Sequence, residues 1–308
     1  MSYSQGGLIS AADYNTFVAG GSDINSWWAT GTGRYGYGQT AIANVAIGST
    51  VTASQWATLI NSLNSGLTHQ SGSGSGISAA TAGQTVTYVS QLSSNVSTAY
   101  TNHNNFASQG STTTGSTFSP NFTVGTSSSA ETWTFTRTIT FSNANAMRFF
   151  FNAGGYITYT LISVSQSGSD NLQTDWVSLI NGVGSCTNIG QVSNSGKQGV
   201  TYGTLNTNNT GLGYYNLSTS GNTWVQMTST TYPYTADYIK LVLRTNGQQN
   251  ATYADNGSVL YIDFTLYAGA TKDSFGNKAL NVTWNHRIDI VNPETTNLTN
   301  SWGSITIT

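Results

Sequence analysis

The sequence predicts an α+β protein in two parts, a small N-terminal helical domain followed by an antiparallel all-β sandwich that is jelly-roll-like. Three observations carry this reading. A helix-start signature occurs three times in the first third of the chain. Apolar residues there recur three or four apart, whereas from Phe118 onward they alternate with polar ones. Gly- and Asn-rich turn sequences then punctuate the chain at short intervals, as in sandwiches and barrels.

The repeated signature is Gly-x-x-[Ile/Val]-[Ser/Thr], at Gly6–Ser10, Gly48–Thr52 and Gly83–Thr87. Ser10 and Thr52 are good N-caps, and Asp13 and Gln55 hold the reciprocal position of a capping box three residues later. Ile9 and Val51 stand where a hydrophobic staple would reach Tyr14 and Trp56. Tyr14, Phe17, Val18 and Ile24 follow the first start, Trp56, Leu59, Ile60 and Leu63 the second, and Val89, Leu92, Val96 and Tyr100 the third. This spacing predicts amphipathic helices near 10–28, 52–65 and 86–107. The flexible composition of Ser71–Gly76 links the last two. The polar stretch Ser108–Thr117 sets the domain boundary, giving 1–110 for anchoring and oligomerisation and 111–308 for the sandwich.

In the second part, Thr132–Phe141 places Trp133, Phe135, Arg137, Ile139 and Phe141 on one face and threonines on the other. Further strands are expected at 148–152, 156–164, 223–228, 238–244, 259–268, 280–290 and 304–308. Asn152–Gly155 and Asp255–Gly257 read as hairpin turns, because Gly and Asn tolerate positive φ. Leu172–Ile180 alone has a helical look.

Composition then excludes whole classes of function. Only 6% of the 308 residues are charged, with a net charge of −2, so no basic field for nucleic acid can form. Ser, Thr, Asn and Gly supply about half the chain, well above ordinary usage. Aromatics at 12% exceed what a disordered chain carries. No apolar run reaches the roughly 20 residues of a membrane span, and Met1–Ser10 lacks a signal-peptide pattern. The single Cys186 rules out an intrachain disulfide and suits a chain made in a reducing cytoplasm.

Chemistry-bearing residues are sparse. Asp175, Asp263 and Asp289 are the candidates for a paired acid and base, but no spacing brings two together. His69, His103 and His286 show no metal-ligand spacing, so no cofactor or metal is expected. His69 and His103 end the second and third helices, where a histidine interacts favourably with the helix dipole; the sharper alternative is a ring of His69 side chains chelating an ion on an oligomer axis. Gly31–Gly36 matches G-x-G-x-x-G, but it follows a helix and lacks the strand before it and the acidic residue after it. Arg34, Tyr35 and Tyr37 read instead as an aromatic loop docking on a neighbour. With Tyr14, Phe17, Trp56, Leu59 and His69 they form the candidate interface set. Tyr214, Tyr215, Tyr232 and Tyr234, set among Asn and Thr, are candidates for stacking on sugar rings.

Ala146–Gly155, Thr174-Asp-Trp176 with Leu179, and Tyr238–Val242 resemble a module of virion structural proteins of tailed bacteriophages, especially those of cyanobacteria and marine bacteria. Asp13-Tyr14, Gly36–Gln39, Trp56 with Leu59, and His69-Gln70 resemble its N-terminal piece, in the same order. The resemblance implies a non-enzymatic component of the tail, neck or a fibre, assembled in the host cytoplasm and localised to the virion. Its expected partners are other virion structural proteins, further copies of itself and host surface glycans, with no nucleic acid and no membrane. The alternatives are a capsid decoration protein and, from another class, a carbohydrate-binding adhesin.

Overall fold

The computed structural model describes residues 10–31, 35–79, 81–83, 85–123, 129–249, 256–269 and 281–308. The chain forms two compact units, the first comprising Met1–Ser111, Asn145–Gly155 and Asn292–Gly303, the second Thr112–Ala144, Tyr156–Val291 and Ser304–Thr308. The first unit is therefore not a contiguous stretch ending at residue 110. It takes in two later segments, whose Met147, Phe150, Phe151, Leu298 and Trp302 are buried.

The caps expected from sequence start the first two helices. Ser10 Oγ accepts from the Asp13 N–H (3.2 Å), opening α1 (Ala11–Val18). The expected run to residue 28 stops early at Gly20-Gly21, where Gly21 has φ +100°. Asp23 then caps a separate 3-10 turn, Ile24–Ser26, accepting from the Ser26 N–H at 2.9 Å. Thr52 and Gln55 form a complete capping box at the head of α2 (Ala53–Ser71), which runs past residue 65 until Gly72, at φ +79°, ends it. The third copy departs from the pattern. In α3 (Val89–Thr101) the N-cap position falls to Tyr88, which has no short side-chain oxygen to return to the first turn and whose hydroxyl accepts from Trp56 Nε1 at 2.9 Å.

The segment 148–152, expected as a strand, lies in a helix, α4 (Ala144–Asn152). A short apolar run fits a buried strand or a buried helix equally well by periodicity. Here Met147, Phe149, Phe150 and Phe151 are all buried, so the helix has no wet face to leave a polar period in the sequence. The expected hairpin at Asn152–Gly155 is its C-terminal cap: Gly155 N–H donates to Phe150 O (2.9 Å) and Gly154 N–H to Phe151 O (3.2 Å), with Gly154 at φ +83°.

The second unit is an antiparallel β-sandwich with an α-helix packed on it. One sheet has the order β1 (Gln109–Thr114), β10 (Asn281–Pro293), β4 (Tyr156–Gln166), β5 (Cys186–Ile189), with β2 (Asn121–Thr123) also pairing with β10. The other runs β11 (Thr306–Ile307), β3 (Glu131–Thr140), β9 (Val259–Ala268), β8 (Tyr238–Thr245), β7 (Asn222–Thr228), β6 (Thr204–Asn208). The strands that sequence reading missed, β1, β2, β5 and β6, are short and mostly polar, and only their partners define them. The second expected hairpin turn begins at Asp255, outside the described residues. Helix α5 (Asn171–Val183), capped by Asp170, packs on β4, β7 and β8. Between the sheets Phe135, Phe264, Tyr159, Trp284 and His286 form one aromatic cluster, with the Phe135 and Phe264 rings stacked at 4.5 Å. No helix among the described residues is long and apolar enough to cross a membrane.

Gly66 lies mid-helix in α2, where a Cβ would strike the Trp27 ring. Alanine would gain about 1 kcal/mol of helix propensity, but overpacking costs about 1–3 kcal/mol. Gly66→Ala is therefore expected to lower the unfolding free energy by about 1 kcal/mol, net of propensity, in a denaturant titration.

Candidate functional site

In the first unit, Tyr37, Gln39, His69 and Gln70 meet in a buried polar clamp. The Tyr37 N–H donates to Trp27 O (2.9 Å), and its hydroxyl donates to His103 O (2.6 Å) while accepting from Gln70 Nε2 (3.2 Å). Gln39 pairs with Thr299 through both ends of its amide: Nε2 donates to Thr299 O (3.0 Å) and Oε1 accepts from the Thr299 N–H (2.8 Å). Ser301 Oγ donates to Tyr37 O at 2.5 Å. His69 Nδ1 lies 2.9 Å from Glu294 Oε1, and Glu294 Oε2 accepts from the N–H groups of Thr296 (2.7 Å) and Asn297 (3.0 Å). The segment around 294–301 is thus tied to Tyr37, Gln39 and α2.

The electrostatics make this clamp structural. Burial alone would raise the Glu294 carboxyl, but the Asn297 and Thr296 N–H groups and the His69 ring outweigh it and hold it below the usual range. Burial pushes the His69 imidazole down by more than Glu294 raises it. Both shifts describe a neutral imidazole whose Nδ1–H donates to a carboxylate. Its Nε2 is buried with no hydrogen-bond partner, so a second proton there would lack an acceptor. Burial also raises Tyr37 far above the phenol range, which removes a phenolate from consideration.

The second unit holds the three candidate carboxylates apart from one another. Asp175, on α5, accepts from the hydroxyls of Tyr202 and Ser229, the latter at 2.7 Å. Burial pushes it up against the pull of these hydroxyls and Thr231. Asp263 binds Arg244 at 2.6 Å and Thr136 at 2.7 Å; Asp289 binds Arg287 at 2.9 Å and Thr160 at 3.0 Å. The three carboxylates weighed as acid and base thus belong to three separate networks. His286 is enclosed in the inter-sheet cluster, and burial pushes it down to about 4, with the Trp284 carbonyl opposing and Arg137 adding to the fall. Cys186 is buried and its thiol raised by that burial.

Most of the candidate interface residues are core residues. Tyr14, Phe17, Trp56, Leu59, Tyr37 and His69 are buried inside their own unit, Tyr14 and Phe17 packing on the Trp56 ring at 5.8 and 6.2 Å. None is available to a neighbour, and His69 cannot line an oligomer axis. The helical stripes are satisfied within the chain, by segments too distant in sequence for their spacing to show. Tyr35 is half-buried, its ring 4.0 Å from that of His103, and Arg34 lies outside the described residues. Of the candidate sugar-stacking residues, Tyr214, Tyr215 and Tyr234 are buried and only Tyr232 is exposed, at 88%. Sequence reading missed Gln39 and Glu294, since their partners lie 260 and 225 residues away.

Burial of His286 fixes a pH response. Between pH 6.5 and about 4 the unfolded chain takes up a proton that the folded chain refuses, so stability falls as pH falls through that window. The loss reaches about 3 kcal/mol at the lower end. His69 shifts in the same direction, whereas the raised Asp175 opposes it by favouring the protonated fold. His286→Phe keeps an aromatic ring in the cluster. It should leave stability at pH 7 within about 1 kcal/mol and flatten the loss between pH 6.5 and 4, as read from denaturation at several pH values.

No family model matches the chain, and no match was found among curated proteins or solved structures.

Proposed function

We propose that this chain is a non-enzymatic structural protein of a tailed-phage virion, a component of its tail, neck or a fibre. The first compact unit anchors it to the particle and the sandwich projects outward. One observation carries this reading. Tyr14, Gly36–Gln39, Trp56, Leu59 and His69-Gln70 belong to the same compact unit as Ala146–Gly155, while Thr174–Trp176, Leu179 and Tyr238–Val242 belong to the other. The N-terminal motifs and one later motif, far apart in sequence, therefore belong to one folded body. The three candidate carboxylates support the same reading, because Asp175, Asp263 and Asp289 are held in three separate networks and no two of them meet.

Assembly in the host cytoplasm, localisation to the virion and contact with other virion proteins follow from this proposal. The capsid decoration alternative differs only in where on the particle the protein sits. A density map of the intact virion tests both, with density for the two units on tail, neck or fibre expected, density on the capsid face assigning decoration, and absence from the particle overturning the proposal. With 6% charged residues, attachment should also persist between about 0.01 and 1 M salt, where the Debye length falls from about 30 to 3 Å. Release by a salt wash, followed on gels of pelleted particles, would contradict this.

A further inference from the structure

Arg137, Arg244 and Arg287 are the arginines of the second unit, and two of them hold carboxylates. Arg244 binds Asp263 at 2.6 Å and Arg287 binds Asp289 at 2.9 Å, both from half-buried positions. Arg137, on the inner face of β3, is buried, at 7% exposure. Among the described residues no carboxylate pairs with it, and its Nε is buried with no hydrogen-bond partner. Its guanidinium carbon lies 4.8 Å from the centroid of the Phe118 ring.

The carboxylates of the adjoining strands are committed elsewhere. Asp263 on β9 pairs with Thr136 and Arg244, and Thr136, next to Arg137 in β3, points to the opposite face of the sheet. Asp289 on β10 is taken up by Arg287 and Thr160. His286, also on β10, packs on the same Phe118 ring, with centroids 5.4 Å apart. Its Nδ1 lies 3.3 Å from Trp284 O, which makes Nδ1 the donor and leaves a lone pair on Nε2, itself buried without a partner. A neutral imidazole cancels no charge, and burial with Arg137 nearby keeps it neutral. A ring face gives a cation less than a counter-ion does, and a desolvated charge without one is costly.

Charge and shape together select the ligand. The uncompensated positive charge calls for an anion and excludes a cation, and a neutral sugar would leave it uncompensated. Phe118 lies against one face of the guanidinium, whose donors all lie in its plane, at the edge. The unpaired Nε–H and one terminal N–H beside it run parallel, a spacing that matches the two oxygens of a carboxylate and that a halide meets at a single point. With 7% of the residue exposed, the site is covered but not sealed, so the group that reaches it is small.

We propose that Arg137 binds a small carboxylate side-on, through Nε and one terminal nitrogen, with the Phe118 ring behind the guanidinium. The carboxylate belongs either to a free small acid or to an acidic side chain of a peptide. Its arrival supplies the counter-charge that the sandwich interior lacks. The inference concerns the sandwich alone and does not depend on the virion reading.

The test follows the melting temperature of the full chain at pH 7 while sodium acetate replaces sodium chloride at constant ionic strength. A second arm adds the blocked peptide acetyl-Gly-Glu-Gly-amide, whose one carboxylate is a side chain. In the wild type at least one probe should raise the melting temperature by about 2–4 °C, saturating at about millimolar concentration as suits so small a ligand. The more effective probe identifies the source. Arg137→Lys keeps the charge but loses the side-on edge, and should weaken binding at least about 10-fold. Arg137→Met removes the charge and should respond to neither probe; without ligand it should melt no lower than the wild type, because an uncompensated charge has left the interior. Line broadening of carbon-13 acetate by the wild type, lost with Arg137→Lys, reads the same site without reference to stability. A wild type unresponsive to both probes in melting and line width overturns the proposal. So does a response that Arg137→Lys and Arg137→Met retain in full, which would assign it to the solvent. An unresponsive wild type together with an Arg137→Met that melts lower would assign Arg137 to packing on Phe118.

Discussion

The side-chain amide that pairs with backbone as a neighbouring strand would is the interaction on which the first unit depends. Between α1 and α2 the chain runs for more than thirty residues, and among the described ones only a short 3-10 turn is helical. The buried N–H and C=O groups of such a run must find partners. Asn15 takes the Val45 N–H on Oδ1 (2.9 Å) and gives Nδ2 to Val45 O (2.8 Å). Asn25 does the same with Ile42, both bonds at 2.9 Å, and Gln39 with Thr299. A carboxamide carries a donor and an acceptor in one plane, so it satisfies both polar groups of a residue at once, which neither a carboxylate nor an ammonium can do. Each such bond contributes only about 1 kcal/mol, but leaving a buried group unpaired costs up to about 3 kcal/mol, so these pairs matter chiefly by what their loss would leave behind.

That device accounts for the composition. The 31 asparagines outnumber the 20 charged residues. The sandwich uses the same chemistry: Asn194 binds the carbonyls of Asn209 and Leu212 and accepts from Trp224 Nε1, and Asn246 Oδ1 accepts from the N–H groups of Ser258 and Val259. Where ionised groups are buried, they are few and locally enclosed. Glu294 is surrounded by donors from its own turn and from His69, so its charge is compensated within a few ångströms. The low charge fraction is thus a choice of donor chemistry.

This explains which features were legible in sequence. Ser10 with Asp13 and Thr52 with Gln55 signal helix starts because both partners lie within one turn, and β3, β8 and β9 show themselves through alternation with β-branched and aromatic residues. Helix α4 was hidden because it is buried all round. β5 and β6 were hidden because their pairing is set by strands elsewhere. The clamp was hidden most completely: His69 and Gln39 look like surface polar residues until Glu294 and Thr299 arrive from the far end of the chain. The stripe of Tyr14, Phe17, Trp56 and Leu59 was legible as apolar, but its occupant was not, since periodicity shows that a face is buried and not what buries it.

The burial of that stripe limits what the helices can offer a partner. Helices that needed a neighbour to cover them would associate through broad apolar faces, as a domain core cut in half. Here those faces are used up inside the unit, so any contact between copies falls to loop tips, grooves and sheet edges. Such contacts are small, and a small contact gains affinity through rigidity and repetition. The polar bonds that run from Asp175 through Ser229 and Thr231 tie the β7–β8 loop to the core of its own unit in the same way.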